Sequence, residues 1–245
     1  MIKIIMIKMK RIVKILLAIV ILLFIIVAIA TFTQNNTQDL NEFGTIIGNN
    51  SNGTVYKMVC GNSFSSDTAV VILGVHSLES GMHNATYEAI KNFTKDNSLN
   101  RKFIVYFIKL NFNDSGMDTS DYNTNRHMGE LLAYEYVVPD IDQYDPYVIV
   151  DVHEMEDYWE KQKYVGILDN KSATTVKYAN AIGDSLNFPV YTFKSGTSLQ
   201  WVSMPLAEKN HTVFLVEAPQ KDAQYQKEQI ARDLVRAIDN LTIIN

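Results

Sequence analysis

The chain has 245 residues, 22 of them basic and 27 acidic, with a formal charge of −5 at pH 7. Lys3, Lys8, Lys10, Arg11 and Lys14 precede the first acidic residue, Asp39, so the rest carries about −10, which argues against nucleic acid and anionic lipid as partners of that part. The single cysteine, Cys60, excludes an intrachain disulfide framework and a cysteine-based zinc finger, and is expected to act as a small buried apolar residue.

The basic flank is followed by an unbroken apolar run, Ile15 to Ala30, extended by Thr31 and Phe32. About 18 residues at ~1.5 Å rise approach the roughly 30 Å of a hydrocarbon core. Residues 1–32 are therefore expected to form a transmembrane signal anchor, with the basic end cytoplasmic and everything after it outside. Ala28-Ile29-Ala30 also fits the small-x-small site of a cleaved signal peptide, which would give a secreted chain. The run is long for that role, so a single-pass anchor in the cell membrane is preferred.

Residues 33–52, rich in Asn, Thr and Gln, read as a polar stalk with little to bury. Asn-x-Ser/Thr triplets recur from Asn35 through Asn84 and Asn170 to Asn240, more often than composition alone would give. They suit an exported glycosylated domain, with plain asparagine enrichment as the competing explanation.

Residues 53–245 are long enough for one domain with a sizeable core. Apolar β-branched runs predict strands at 54–60, 68–75, 103–110, 146–152, 163–168, 189–193 and 212–217. Helical periodicity predicts helices near 80–97, 127–137, 173–186 and 222–241. The last is the clearest, with Ile230, Leu234, Ala237, Ile238 and Leu241 on one stripe. Continuous apolar strands alternating with helices predict an α/β fold, a mostly parallel mixed sheet with helices on both faces.

Two strand ends carry the chemistry. Thr68-Ala69-Val70-Val71-Ile72-Leu73 runs into Gly74-Val75-His76-Ser77-Leu78-Glu79, and Pro146-Tyr147-Val148-Ile149-Val150 runs into Asp151-Val152-His153. His76, Glu79 and His153 together supply two nitrogens and a carboxylate, the protein ligands of a catalytic Zn2+ site that keeps one position open for water. His-x-x-Glu alone is common by chance, and a lone strand-end histidine is more often a packing residue. The two together shift the balance toward a metal site.

Further along, Thr212-Val213-Phe214-Leu215-Val216 ends abruptly in Glu217 before Ala218-Pro219. A carboxylate at the end of a buried strand is expensive unless paired or functional, so Glu217 is the candidate general base, with a strand-end ion pair as the alternative. Asn125-Arg126 offers an amide beside a guanidinium fork suited to a substrate carboxylate, with a surface arginine opening a helix as the alternative.

Taken in order, these residues resemble the zinc carboxypeptidase family over about residues 68–220. His76 through Glu79 looks like its first ligand pair, Asn125-Arg126 like its carboxylate clamp, and Asp151-Val152-His153 like the strand with its third ligand. Ser195-Gly196-Thr197-Ser198-Leu199-Gln200-Trp201 is similar to its Ser-Gly-x-x-x-Asp-Trp loop. The resemblance implies a Zn2+ hydrolase with Glu217 as base and acid, Asn125 and Arg126 on the substrate carboxylate, and Tyr191, Leu199 and Gln200 in substrate contact. Asp151, two residues before His153 and so on the same sheet face, could orient a ligand, with a helix-capping or solvent role as the alternative.

The chain also departs from the family. Gln200 stands where the family has Asp, Thr192 aligns with its mobile tyrosine with Tyr191 one residue away, and no arginine lies at the spacing of its carbonyl-polarising one. Arg101 is nearest, with Lys109 as an alternative cation. The expected activity is a membrane-anchored, outward-facing zinc peptidase acting on a bond next to a free carboxylate, with cell-envelope peptides as its expected substrates. Its rivals are an N-acyl amino acid deacylase of the aspartoacylase or desuccinylase type, and a catalytically silent surface binding module.

Overall fold

The computed structural model describes residues 42–111, 119–168, 172–194 and 199–243. The expected anchor at 1–32, the stalk up to residue 41, and Ser195, Gly196, Thr197 and Ser198 of the substrate loop lie outside the described residues. Among the described residues no helix is long and apolar enough to cross a membrane.

Eight strands form one mixed sheet: β1 (Thr45–Asn50), β2 (Gly53–Gly61), β3 (Thr68–Leu73), β4 (Lys102–Leu110), β5 (Val148–Met155), β6 (Tyr164–Leu168), β7 (Val190–Phe193) and β8 (Val213–Pro219). Their spatial order is β1-β2-β4-β3-β5-β8-β6-β7. The central strands β4, β3, β5 and β8 run parallel, while β2 and β6 join them antiparallel. Every residue of β3 is buried, as the apolar run in its sequence requires of a strand covered on both sides.

The helices are α1 (Ser80–Lys95), α2 (Thr119–Leu132), α3 (Val138–Ile141), α4 (Ala173–Leu186), α5 (Met204–Glu208) and α6 (Gln224–Asp239). One sheet face presents Val71, Val105, Val150 and Val216 to Ile90 of α1, Ile182 of α4 and Leu234 of α6. The other presents Ile72, Ile104 and Ile149 to Leu132, Val137, Ile141 and Leu206 around α2, α3 and α5. The period-two alternation along each strand thus feeds two separate apolar layers. The expected α/β class with helices on both faces is observed.

Three elements differ from the sequence expectation. The stalk expected through residue 52 gives way at residue 45 to β1, an edge strand held by antiparallel pairing with β2, and Phe43 is already buried in the core. Its asparagine-rich sequence carries no strand alternation, so only the pairing reveals it. Helix α2 begins at Thr119 rather than near 127, and continues through a π turn, Ala133–Val137, into α3. A second π turn, Leu199–Ser203, leads into α5, where no helix was expected.

Candidate active site

The candidate residues gather at the carboxyl ends of β3, β5 and β8, where open α/β sheets form their crevices. After β3 the chain turns at Gly74, whose φ of +85° suits glycine and where a Cβ would stand 2.2 Å from the Ile108 carbonyl oxygen. His76 is extended, and Ser77–Glu79 form a 3-10 turn in which the Glu79 amide donates to the His76 carbonyl at 3.1 Å. That tight turn brings residues three apart onto one side. His76 Nδ1 consequently lies 2.8 Å from Glu79 Oε1.

Strand β5 pairs with β3 and delivers His153, whose Nδ1 lies 2.8 Å from Glu79 Oε2. The two imidazole Nδ1 atoms thus flank one carboxylate, and the donor atoms of all three residues lie within 4.8 Å of one another. All three side chains are buried. Burial opposes charge on Glu79, but His76 and His153 outweigh it and hold its carboxyl well below the usual range. Burial likewise opposes charge on His153, and the Asp151 and Glu79 carboxylates overcome it and raise its pKa well above normal. Two nitrogens and a carboxylate converging among buried side chains fit a divalent metal cation.

Behind these residues stand two further carboxylates. Glu130 Oε1 is 3.2 Å from His76 Nε2, and Asp151 Oδ2 is 2.9 Å from His153 Nε2. The second contact is close without being a hydrogen bond, because neither the Asp151 oxygens nor His153 Nε2 is in line for one. A carboxylate that accepts from the far ring nitrogen fixes the orientation of a metal-binding histidine, and Glu130 is so placed for His76. The sequence reading offered Asp151 for such a role, where the structure shows a contact without a hydrogen bond, and missed Glu130. The signal for it was Glu130 one helical turn after Arg126, visible only once α2 is known to cover both.

Glu217 sits in register with His153 across the β5–β8 pair, so both side chains leave the same sheet face. It is 9% exposed, and its Oε2 has no hydrogen-bond partner. Burial pushes its carboxyl up to about 8; His153 and Arg126 pull against the shift while Glu79 and Asp151 reinforce it.

Arg126 lies in α2, and its guanidinium reaches Glu79 Oε1 at 2.8 Å. Asn125, about 100° around the same helix, is buried rather than in the cleft lining. The helix starting at 119 explains this, since consecutive helical residues cannot both face one ligand. Gly129 lets α2 approach the segment before His76, since a Cβ there would stand 1.9 Å from the Val75 carbonyl oxygen.

A cleft of about 720 Å³ opens over the site, lined by His76, Glu79, Arg126 and Glu217 together with Tyr164, Tyr191, Phe193, Leu199 and Leu215. Tyr191 and Leu199 line this cleft, whereas Gln200 is exposed and absent from the lining. It is the second residue of the π turn Leu199–Ser203, which sends its side chain away from that of Leu199. Trp159 also lines the cleft, while Tyr158 is 74% exposed, its ring tilted 38° against that of Trp159 at 5.5 Å between centroids. Lys161 and Lys194 are the cleft's other cations. Neither Arg101 nor Lys109 reaches it: Arg101 pairs with Asp67 at the opposite end of β4, and Lys109 packs over Phe43. His83 is buried behind the site with Nε2 donating to the Val152 carbonyl at 2.8 Å, and burial lowers its pKa to about 4.

No protein-family model matches the sequence, and no curated protein matches it significantly. The fold, by contrast, has many counterparts. A metallo-carboxypeptidase from Burkholderia cenocepacia superposes with a TM-score of 0.51 at 13% identity, covering 81% of this chain and 63% of that one. The carboxypeptidase-like fold is this chain's fold. The tripeptide-bound cell shape determinant Csd4 of Helicobacter pylori gives 0.52 at 10% identity, over 75% of this chain and 54% of its own. Succinylglutamate desuccinylase from Chromobacterium violaceum gives 0.50 at 13%, over 72% and 64%. This chain thus spans between half and two thirds of the length of these carboxypeptidase-like proteins.

Proposed function

We propose that this chain is a zinc-dependent hydrolase that cleaves a peptide or amide bond next to a free carboxylate. The observation that carries the reading is the convergence of His76, Glu79 and His153 within 4.8 Å, with Glu217 in register beside His153. His76 and His153 through Nδ1, and Glu79 through its carboxylate, would hold the ion. Zinc bound there supplies a Lewis acid that polarises a carbonyl and acidifies water.

The remaining steps belong to the chain. Glu217 takes a proton from the attacking water and returns it to the leaving nitrogen, a task that its place in register beside His153 suits. Arg126 grips the substrate carboxylate and sets the register of attack. Leu199 and Leu215, packed with Tyr164, give the cleft an apolar floor, which favours an apolar side chain next to that carboxylate.

A second reading, removal of an acyl group from an N-acyl amino acid, is supported by the likeness to a desuccinylase at nearly the same TM-score. The apolar run Ile15 to Ala30 behind its basic flank supports an outward-facing, membrane-anchored enzyme. An enzyme so placed would meet cell-envelope peptides. Peptides ending in a free carboxylate, assayed beside N-acyl amino acids, separate the two readings. Glu217→Gln tests both: metal content should stay at the wild-type level while turnover falls at least ~100-fold. Near-full activity in that variant overturns the assignment.

A further inference from the structure

Lys227 is a buried lysine on α6 that the chemistry above does not use. Strand alternation sends His153 to the site face of the sheet and Glu154 to the opposite one. The Glu154 backbone N–H nevertheless donates to Glu79 Oε2 at 3.0 Å, so the position of residue 154 sets the position of that carboxylate. On the far face Glu154 Oε1 accepts from the Met82 amide at 2.6 Å and from Lys227 Nζ at 2.8 Å. Lys227 Nζ also donates to the Gln220 carbonyl at 2.7 Å.

Met82 stands three residues after Glu79, and Gln220 three residues after Glu217. The Lys227–Glu154 pair therefore ties together the segments that carry Glu79, His153 and Glu217, the carboxylate holding the Met82 amide and the ammonium the Gln220 carbonyl. The Gln220 amide adds a bond to the Met155 carbonyl at 2.9 Å, closing the brace between β5 and β8. The pair is almost dry, with side-chain exposures of 9% and 2%. Gly81 makes room for it, since a Cβ there would stand 2.5 Å from Glu154 Oε1 and 2.6 Å from Lys227 Nζ. A buried ion pair is a weak way to gain stability, because apolar residues of similar volume often serve as well or better.

We infer that Lys227, acting through Glu154, is a positioning residue for the metal centre; the inference rests on His76, Glu79 and His153 binding a cation. The test is the double variant Glu154→Leu/Lys227→Met, which removes both charges at similar volume. Zinc affinity is measured by competition with a chromogenic chelator, the Tm on the chelator-stripped chain, and the visible spectrum on the Co2+-loaded form. Expected are a Tm close to that of the wild type, the discharged pair offset by the Met82 amide left without its acceptor, zinc affinity lower by about 10- to 100-fold, and an altered Co2+ spectrum. Lys227→Arg, which keeps the cation, should recover most of the affinity.

A stable double variant with wild-type zinc affinity and spectrum overturns the inference. Should the double variant not fold, Glu154→Gln decides. It keeps the acceptor for Met82 and loses the ionic pull on Lys227, and zinc affinity equal to the wild type contradicts the proposal. A wild-type chain that binds no zinc overturns the functional reading and this inference with it.

Discussion

His153 and Glu217 occupy paired positions on two adjacent parallel strands, β5 and β8, and both leave the same sheet face. The register of one strand pair thus places the candidate base beside a candidate metal ligand. A one-residue slip would turn Glu217 into the opposite apolar layer, so the packing that fixes the register also fixes the chemistry.

Burial of Glu217 costs the fold stability above its unfolded pKa. Its folded pKa of about 8 lies above its ordinary 4.5, so between these values the folded chain binds more protons than the unfolded one. Stability of the metal-free chain therefore falls as pH rises through that window. Metal-free Glu217→Gln should be more stable than the wild type at pH 8.5, by something of the order of 3 kcal/mol, with the difference gone near pH 4.5. Urea unfolding at both pH values reads this out, and a pH-independent difference counts against it.

Arg126 and a bound cation compete for Glu79, because the guanidinium already stands 2.8 Å from Oε1. Arg126→Gln should bind zinc several-fold more tightly while losing about 1.5–3 kcal/mol of substrate binding, roughly 10- to 150-fold in kcat/KM. Zinc titration and steady-state kinetics on the same preparation check the opposed signs. A loss of both affinities would mean that Arg126 braces the site rather than gripping substrate.

Gly129 permits α2 to lie against the Val75 carbonyl. Gly129→Ala gains about 1 kcal/mol of helix propensity but drives a methyl into backbone. A net loss of ~1–3 kcal/mol is expected, with weaker zinc binding because the displaced segment carries His76. Denaturant unfolding with and without zinc measures both, and a stabilised variant would contradict the packing account.

His83 makes the acid limb of stability steep. It is neutral in the fold, with a pKa lowered to about 4 from 6.5, so stability is complete above 6.5 and lost as pH falls toward 4. The contribution is of the order of 3 kcal/mol. His83→Gln keeps a donor for the Val152 carbonyl without titrating there. Measured on chelator-stripped protein, it should lose less stability between pH 7 and 4 than the wild type does.

Much of this was legible in the sequence because it follows from local rules. Buried parallel strands announce themselves as unbroken apolar runs, and the ends of β3, β5 and β8 carried His76, His153 and Glu217 in plain view. Glu130, Gly129 and Lys227 were not legible, since each acts through a partner distant in sequence: His76, the Val75 carbonyl and Glu154. Asn125 and Gln200 were misplaced because their roles depended on helix boundaries, and no apolar periodicity marks the start of α2 or the π turn at Leu199. β1 was hidden for a related reason, its strand character coming from pairing with β2.

The central claim is that His76, Glu79 and His153 hold one cation. Elemental analysis of the purified chain, alongside His76→Ala, Glu79→Ala and His153→Ala, tests it most directly. The account predicts one zinc per wild-type chain, removed by chelator together with activity, and little or none in each folded variant. A wild-type chain that carries no metal, or variants that keep it, would contradict the account.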